Sequence, residues 1–336
     1  MFFVIIYSKI DKLNYLRFMS ERKNEIIVEV PHRISGFFEI VDEFNGSKIE
    51  DPVKIGSRGA GFNISSFGKT KITSIDREGN DKYKIEIYIN GKNHDRDAET
   101  TYSIVEYVKK LVKKPFYIRI EHFFDLPVGC GYGASGSGAL GTIYGLNHLF
   151  DLGFSNKEKG KIAHIAEVVN KTGLGTICGQ LRGGLCMLTE PGYPCVSERI
   201  KIPKNLKIVC GTFGSIHTKS ILTNPVLNLR IKKAGKIALK RLLLTPNIKT
   251  FINESFKFVK NSDILELLEL PKIKELIESL NKLNIMGASM NQLGRSVYAI
   301  CKIQNEKEVL DVFESYNPDI QILVTSIFEK NPVNLL

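Results

Sequence analysis

The feature that most constrains this chain is a glycine- and serine-rich run set between a strand and a helix. Residues 127–141 read Pro-Val-Gly-Cys-Gly-Tyr-Gly-Ala-Ser-Gly-Ser-Gly-Ala-Leu-Gly. Before them, Phe116, Ile118, Ile120 and Phe124 fall on one face and Arg119 and Glu121 on the other, the alternation of a half-buried strand. After them, Leu140, Ile143, Leu146, Leu149 and Phe150 recur at helical spacing. A chain that passes from strand through glycines into a helix can bring backbone N–H groups close to an oxyanion, and the helix N-terminus adds partial positive charge. A phosphate cradle is therefore expected from Pro127, Gly129, Gly131, Gly133, Ala134, Ser135, Gly136, Ser137 and Gly138, with Ser135 and Ser137 as hydroxyl donors or magnesium ligands.

Other loops compete for these residues. A Walker A loop needs Gly-Lys before Ser or Thr, and here Gly136 is followed by Ser137, so no lysine reaches the β- and γ-phosphates. Gly131, Gly133 and Gly136 do satisfy GxGxxG, but the dinucleotide fingerprint also wants a strand ending in an acid about 20 residues on. Instead, Ser155 and Glu158 form a capping box that opens a helix with Ile162, Ile165, Ala166 and Val169 as its apolar stripe. A plain turn without a ligand is the third alternative, and it would not require so many entropically costly glycines.

The rest of the chain reads as a mixed α+β protein of two domains. Strands are expected at Ile26 to Val30 and at Lys84 to Ile89, the latter closed by Asn90-Gly91. Later come a strand around Lys207 to Thr212, helical stretches from Lys232 to Leu283, a strand at Val297 to Ile303, a helix from Glu306 and a last strand near Ile320. The spacing suggests an N-terminal extension over 1–20, a first domain over 21–185 and a second over 186–336. The N-terminal apolar stretch is too short to span a membrane and lacks a signal cleavage site, so a cytoplasmic location is expected.

Net charge is +11, but Lys and Arg are dispersed, which argues for solvated faces and attraction of anionic small molecules rather than for a nucleic-acid partner. Cys130, Cys178, Cys186, Cys195, Cys210 and Cys301 form no CxxC pair and no zinc pattern, and free thiols in a reducing cytosol are expected.

The loop at Pro127 resembles the second signature of the GHMP kinases. Other segments resemble archaeal pantoate kinases in the same order: Pro31-His-Arg-Ile-Ser-Gly-Phe-Phe-Glu39, Gly56-Ser-Arg-Gly-Ala-Gly61, His164 to Gly175, Arg182-Gly-Gly184, Gly214 to Leu222 and Ala288 to Gly294. The resemblance covers roughly residues 26 to 330. It implies a domain like domain 2 of ribosomal protein S5, followed by a ferredoxin-like domain, with ATP between them. It also implies transfer of the γ-phosphoryl group to the primary hydroxyl of pantoate for coenzyme A synthesis, and a homodimer.

By the same resemblance, Ser137 and Glu167 would hold Mg²⁺ against the phosphates. Many members of the superfamily carry an Asp base shortly after this Glu, but here the segment reads Gly-Leu-Gly-Thr176, and no Asp occurs between Leu152 and Ser262. Either Thr176 orients the acceptor and the proton leaves late, or the enzyme is slow or inactive, or a distant acid such as Asp42 folds into the site. A carboxylate acceptor calls for arginine, with Arg58 first and Arg33 second, and His32, Ser35, His217 and Thr218 as hydrogen-bonding neighbours. The rivals are a GHMP kinase for homoserine or mevalonate, and a non-catalytic ATP-binding protein.

Overall fold

The computed structural model describes residues 24–75, 82–95, 97–216 and 218–330, so the suggested extension over 1–20 lies outside the described residues. The strands are β1 (Glu25–Val41), β2 (Glu43–Phe44), β3 (Ser47–Lys48), β4 (Gly56–Ser74), β5 (Lys84–Ile89), β6 (Lys92–Asn93), β7 (Tyr117–Phe124), β8 (Leu185–Leu188), β9 (Ser197–Arg199), β10 (Leu206–Gly214), β11 (Gly287–Asn291), β12 (Arg295–Lys302) and β13 (Gln321–Thr325). A seven-stranded sheet runs β6-β5-β7-β4-β8-β9, with β1 also paired to β4, and a four-stranded sheet runs β11-β12-β10-β13. Within these sheets only β5 and β7 pair in parallel.

Helices α1 (Glu99–Lys109), α2 (Ala134–Leu149) and α3 (Asn156–Asn170) pack together, and α2 lies against β1 and β4. Their contact is a core of β-branched and aliphatic side chains, among them Val28, Ile72, Ile104, Ile118, Leu140 and Ile143. The capping box forms as the sequence predicts: Ser155 Oγ accepts from the Glu158 N–H at 3.2 Å, and the Glu158 carboxylate accepts from the Ser155 N–H at 2.8 Å.

From Val30 to Ile40, β1 is buried at all but one position. The cause is that the other layer closes on it. Helices α4 (Thr176–Arg182), α5 (Thr218–Thr223), α6 (Pro225–Leu244), α7 (Ile248–Asn261), α8 (Ile264–Leu267), α9 (Pro271–Leu280) and α10 (Glu306–Glu314) follow in order. Of these, α6 and α7 press on β1 and α7 also covers β11. Phe37 and Phe62 meet Phe251 with ring centroids 6.3 and 5.9 Å apart, and Phe62 meets Tyr298 at 5.5 Å. One apolar cluster thus runs from β1 and β4 into the second sheet, so the two domains are joined by a shared core rather than a wet seam.

Two expectations shift. Strands β8 and β9 still pair within the first sheet, so that sheet runs to residue 199 rather than stopping at the suggested 185. The expected free thiols of Cys178 and Cys195 are joined in a disulfide with Cα atoms 5.3 Å apart, while Cys130, Cys186, Cys210 and Cys301 are free and buried. No spacing rule could signal this bond, because α4 and the loop before β9 bring the two sulfurs together only in the folded chain. No described helix is long and apolar enough to cross a membrane.

Candidate active site

A cavity of about 470 Å³ is lined from both domains. The glycine-rich loop contributes Val128, Gly129, Gly131 to Ser135, and Gly138. Gly129, Gly131 and Gly133 have φ of 77°, 86° and 68°, a left-handed run open to glycine and unfavourable for a side chain. Gly133 precedes α2, and no side chain caps that helix, so its first N–H groups stay available to a ligand at the cavity. The second domain braces the loop from outside: the Ile216 N–H donates to the Gly129 carbonyl at 2.8 Å, and Ser296 Oγ donates to the Cys130 carbonyl at 2.8 Å.

The two loop serines differ. Ser137 is fully buried and absent from the cavity wall; its Oγ donates to the Gly133 carbonyl at 3.2 Å and accepts from Gln180 Nε2 at 2.8 Å. Ser135 lines the cavity, and its hydroxyl acts on the Glu167 carboxylate. Glu167, on α3, is 1% exposed; Oε1 accepts from Thr172 Oγ at 3.0 Å, while Oε2 is buried without a partner. Burial raises the Glu167 carboxyl above its usual range, and the Ser135 and Thr172 hydroxyls only partly oppose this. A side chain at Gly173 would collide with Oε2, so the glycine there lets the chain turn past the carboxylate.

That turn delivers Thr176 to the cavity at the start of α4. Its methyl group stands where a β-carbon on Gly133 would be only 2.9 Å away, so Thr176 is packed directly on the loop. Asp42 does not reach the cavity and pairs with Lys232 at 2.6 Å.

The two arginines also differ. Arg58 lines the cavity but is already held by Glu39, with Nη2 2.8 and 3.0 Å and Nε 3.1 Å from its oxygens. Arg33 lines it too, is 3% exposed, and meets only Asn63 Oδ1 at 3.4 Å and Cys186 Sγ at 3.5 Å through its guanidinium. It is a buried cation without a carboxylate, an arrangement that is costly unless an anion completes it.

Residues 99–184 match the GHMP kinases N terminal domain. The pantoate kinase of Methanocaldococcus jannaschii is 31% identical over 285 residues, 85% of this chain and 96% of that protein. The chain belongs to the pantoate kinase family of the GHMP kinases. The pantoate kinase of Thermococcus kodakarensis is likewise 31% identical, over 86% of this chain and 91% of its own. Among solved structures, a phosphotransferase related to the CoA biosynthesis pathway superposes with a TM-score of 0.79 at 26% identity, covering 91% of this chain and 97% of that one. The two-domain GHMP kinase fold expected from the sequence is thereby established.

In this GHMP kinase, Ser35 joins Arg33 and Arg58 on the cavity wall, whereas His32 does not. His32 is buried behind the loop, its Nδ1 3.1 Å from the Tyr132 carbonyl, and burial lowers its pKa to about 4. Pro127, Gly136 and Ser137 also stand off the cavity wall, supporting the loop from behind, and Glu167 stands off it too, buried beneath Gly173. His217 and the side chain of Thr218 lie outside the described residues. The sequence reading missed Asp97 to Thr101, Thr172, Lys219, Gln292 and Leu293, all of which line the cavity. Thr172, Lys219, Gln292 and Leu293 fell in segments it had singled out, whereas no periodicity or motif marks Asp97 to Thr101.

Proposed function

We propose that this GHMP kinase transfers the γ-phosphoryl group of ATP to the primary hydroxyl of pantoate, giving 4-phosphopantoate for coenzyme A synthesis. The observation that carries the reading is Arg33, a buried arginine that contributes to the cavity wall and whose guanidinium, packed near Asn63, Cys186 and Gly179, has no carboxylate of its own. Pantoate supplies a carboxylate for it and paired methyl groups for the apolar wall of Phe38, Leu174, Leu188 and Leu293. The names of the curated relatives agree with pantoate.

Phosphoryl transfer asks the protein mainly to position two reactants and neutralise charge. The loop N–H groups at the start of α2 receive the ATP phosphates, and Thr176, packed beside the loop, orients the attacking hydroxyl. One carboxylate with an unpartnered oxygen, beside one hydroxyl, fits Mg²⁺, an ion that takes one or two protein ligands and completes its shell with phosphate and water. The pair proposed is Glu167 with Ser135, in place of the expected Ser137, whose hydroxyl is already engaged twice. When bound, the ion neutralises charge between the β- and γ-phosphates. With no carboxylate at position 176, the acceptor proton leaves late, to phosphate or solvent.

The reading carries with it a cytoplasmic location, where ATP is available, and a homodimer, for which exposed Leu229 and Leu244 on α6 offer apolar surface. Disulfides are rare in reducing compartments, so the state of Cys178 and Cys195 in cells, read by thiol trapping and mass spectrometry, tests the location. The substrate is tested by calorimetric titration of pantoate in the presence of a non-hydrolysable ATP analogue. Binding that is present in the wild type and lost in Arg33→Met supports the reading; equal binding in both contradicts it.

A further inference from the structure

Among the described residues eight non-glycine positions have positive φ, and seven of them are Asn, Asp, Lys or Glu. The eighth is Leu293, with φ of 66°, in the turn that joins β11 to β12. A left-handed backbone is unfavourable for a residue with a bulky side chain. Glycine would adopt the conformation freely, so closing the hairpin does not explain leucine.

The turn is fixed by its surroundings. The Gln292 N–H donates to the Ser35 carbonyl at 3.0 Å, and Gln292 Nε2 donates to the Gly36 carbonyl at 3.1 Å. Gly294 lies so close to the Cys130 carbonyl that no side chain fits there. The hairpin is thus clamped between β1 and the phosphate loop, and residue 293 must project from that point. Its half-buried side chain lines the cavity next to Gln292, which ties the turn to Ser35 and Gly36 of the strand that bears Arg33.

We infer that Leu293 is a specificity residue for the acceptor, held in a strained conformation so that its side chain packs against the branched, doubly methylated carbon of the substrate. The inference rests on the pantoate reading and names the residue that distinguishes a branched hydroxy acid from a linear one. A hydrophobic contact of this kind discriminates by about ten- to two-hundredfold per methyl-sized group.

The test compares pantoate with 2,4-dihydroxybutyrate, which keeps the carboxylate and both hydroxyls but lacks the two methyl groups. Leu293→Gly suits the backbone and preserves folding; Leu293→Asn keeps a similar size and tolerates the same φ, but is polar. Both variants are expected to lose at least tenfold in kcat/KM for pantoate, with dihydroxybutyrate within about twofold of wild type and the KM for ATP unchanged. Equal losses on both acceptors, or no loss on either, would overturn the inference while leaving the pantoate reading intact. A wild-type enzyme inactive on pantoate would overturn both.

Discussion

The two ends of the cavity are built on different principles. The end proposed for the nucleotide is nearly continuous in sequence: the strand β7, the loop and α2 follow one another within residues 117–149, and the loop's polar groups are largely braced from behind. The end proposed for the acceptor is assembled from β1, β4, the turn before α4, β8 and the β11–β12 hairpin, and it includes an arginine with no internal carboxylate. A local element can be complete before its ligand arrives. A non-local one is completed by the ligand, and that is where specificity resides.

The largest expected effect tests the junction of the two ends. Glu167→Gln should lower turnover by about a thousandfold or more, since it removes the charged group proposed to face the metal and phosphates. Stability should move the other way. The folded chain holds the Glu167 proton more tightly than the unfolded chain does, so the stability this gives is present below its ordinary value of 4.5 and is lost as pH rises through the folded value. At pH 8 without ligands, the Gln variant should therefore melt above wild type in calorimetry; a lower melting temperature would contradict a carboxylate buried with one oxygen unpartnered.

Within the acceptor end, Arg33→Met should raise KM for pantoate by about a hundredfold with KM for ATP unchanged, the scale of a lost charge-assisted pair. Arg58→Met should change it by tenfold or less, because Glu39 already occupies Arg58. Reversed magnitudes in steady-state kinetics would exchange the two assignments.

Acid should loosen the nucleotide end. Burial lowers His32 and His122 from 6.5 to about 4, so both are neutral in the folded chain. Their contribution to stability is intact above 6.5 and is lost as pH falls toward 4, at about 1.4 kcal/mol per pH unit for each. His122 lies between Thr70 and Thr101, each 2.9 Å from a ring nitrogen. Urea unfolding at pH 7 and pH 5 should differ accordingly, and a flat profile would contradict the neutral, buried rings.

The smallest effect concerns Thr176. If proton loss is late, Thr176→Asp should change kcat by about tenfold at most, whereas a gain of several orders of magnitude in rapid-quench turnover would mean that the natural enzyme lacks a base it needs.

The same contrast explains what could be read from the sequence. The strand, loop and helix at Phe116 to Leu149 and the Ser155 capping box depend on neighbours a few residues apart, so their periodicity was visible. The 19-residue β4 was not, because its Gly56 to Gly61 stretch lacks alternation and is buried by packing on both sides. Ser135 and Ser137 are indistinguishable in sequence; only the position of Gln180 on α4 turns one inward. Glu39 cancelling Arg58, and the Cys178–Cys195 bond, likewise depend on pairs that the fold alone brings together. Leu293 was legible only as part of a resembling segment, since its meaning lies in a backbone angle.

The most direct test of the central claim is ATP- and Mg²⁺-dependent ADP release with pantoate, homoserine and mevalonate offered separately, with Glu167→Ala as control. The account predicts turnover with pantoate alone, lost in the control. Turnover with another acceptor in preference to pantoate, or ATP binding without turnover of any of the three, would contradict it.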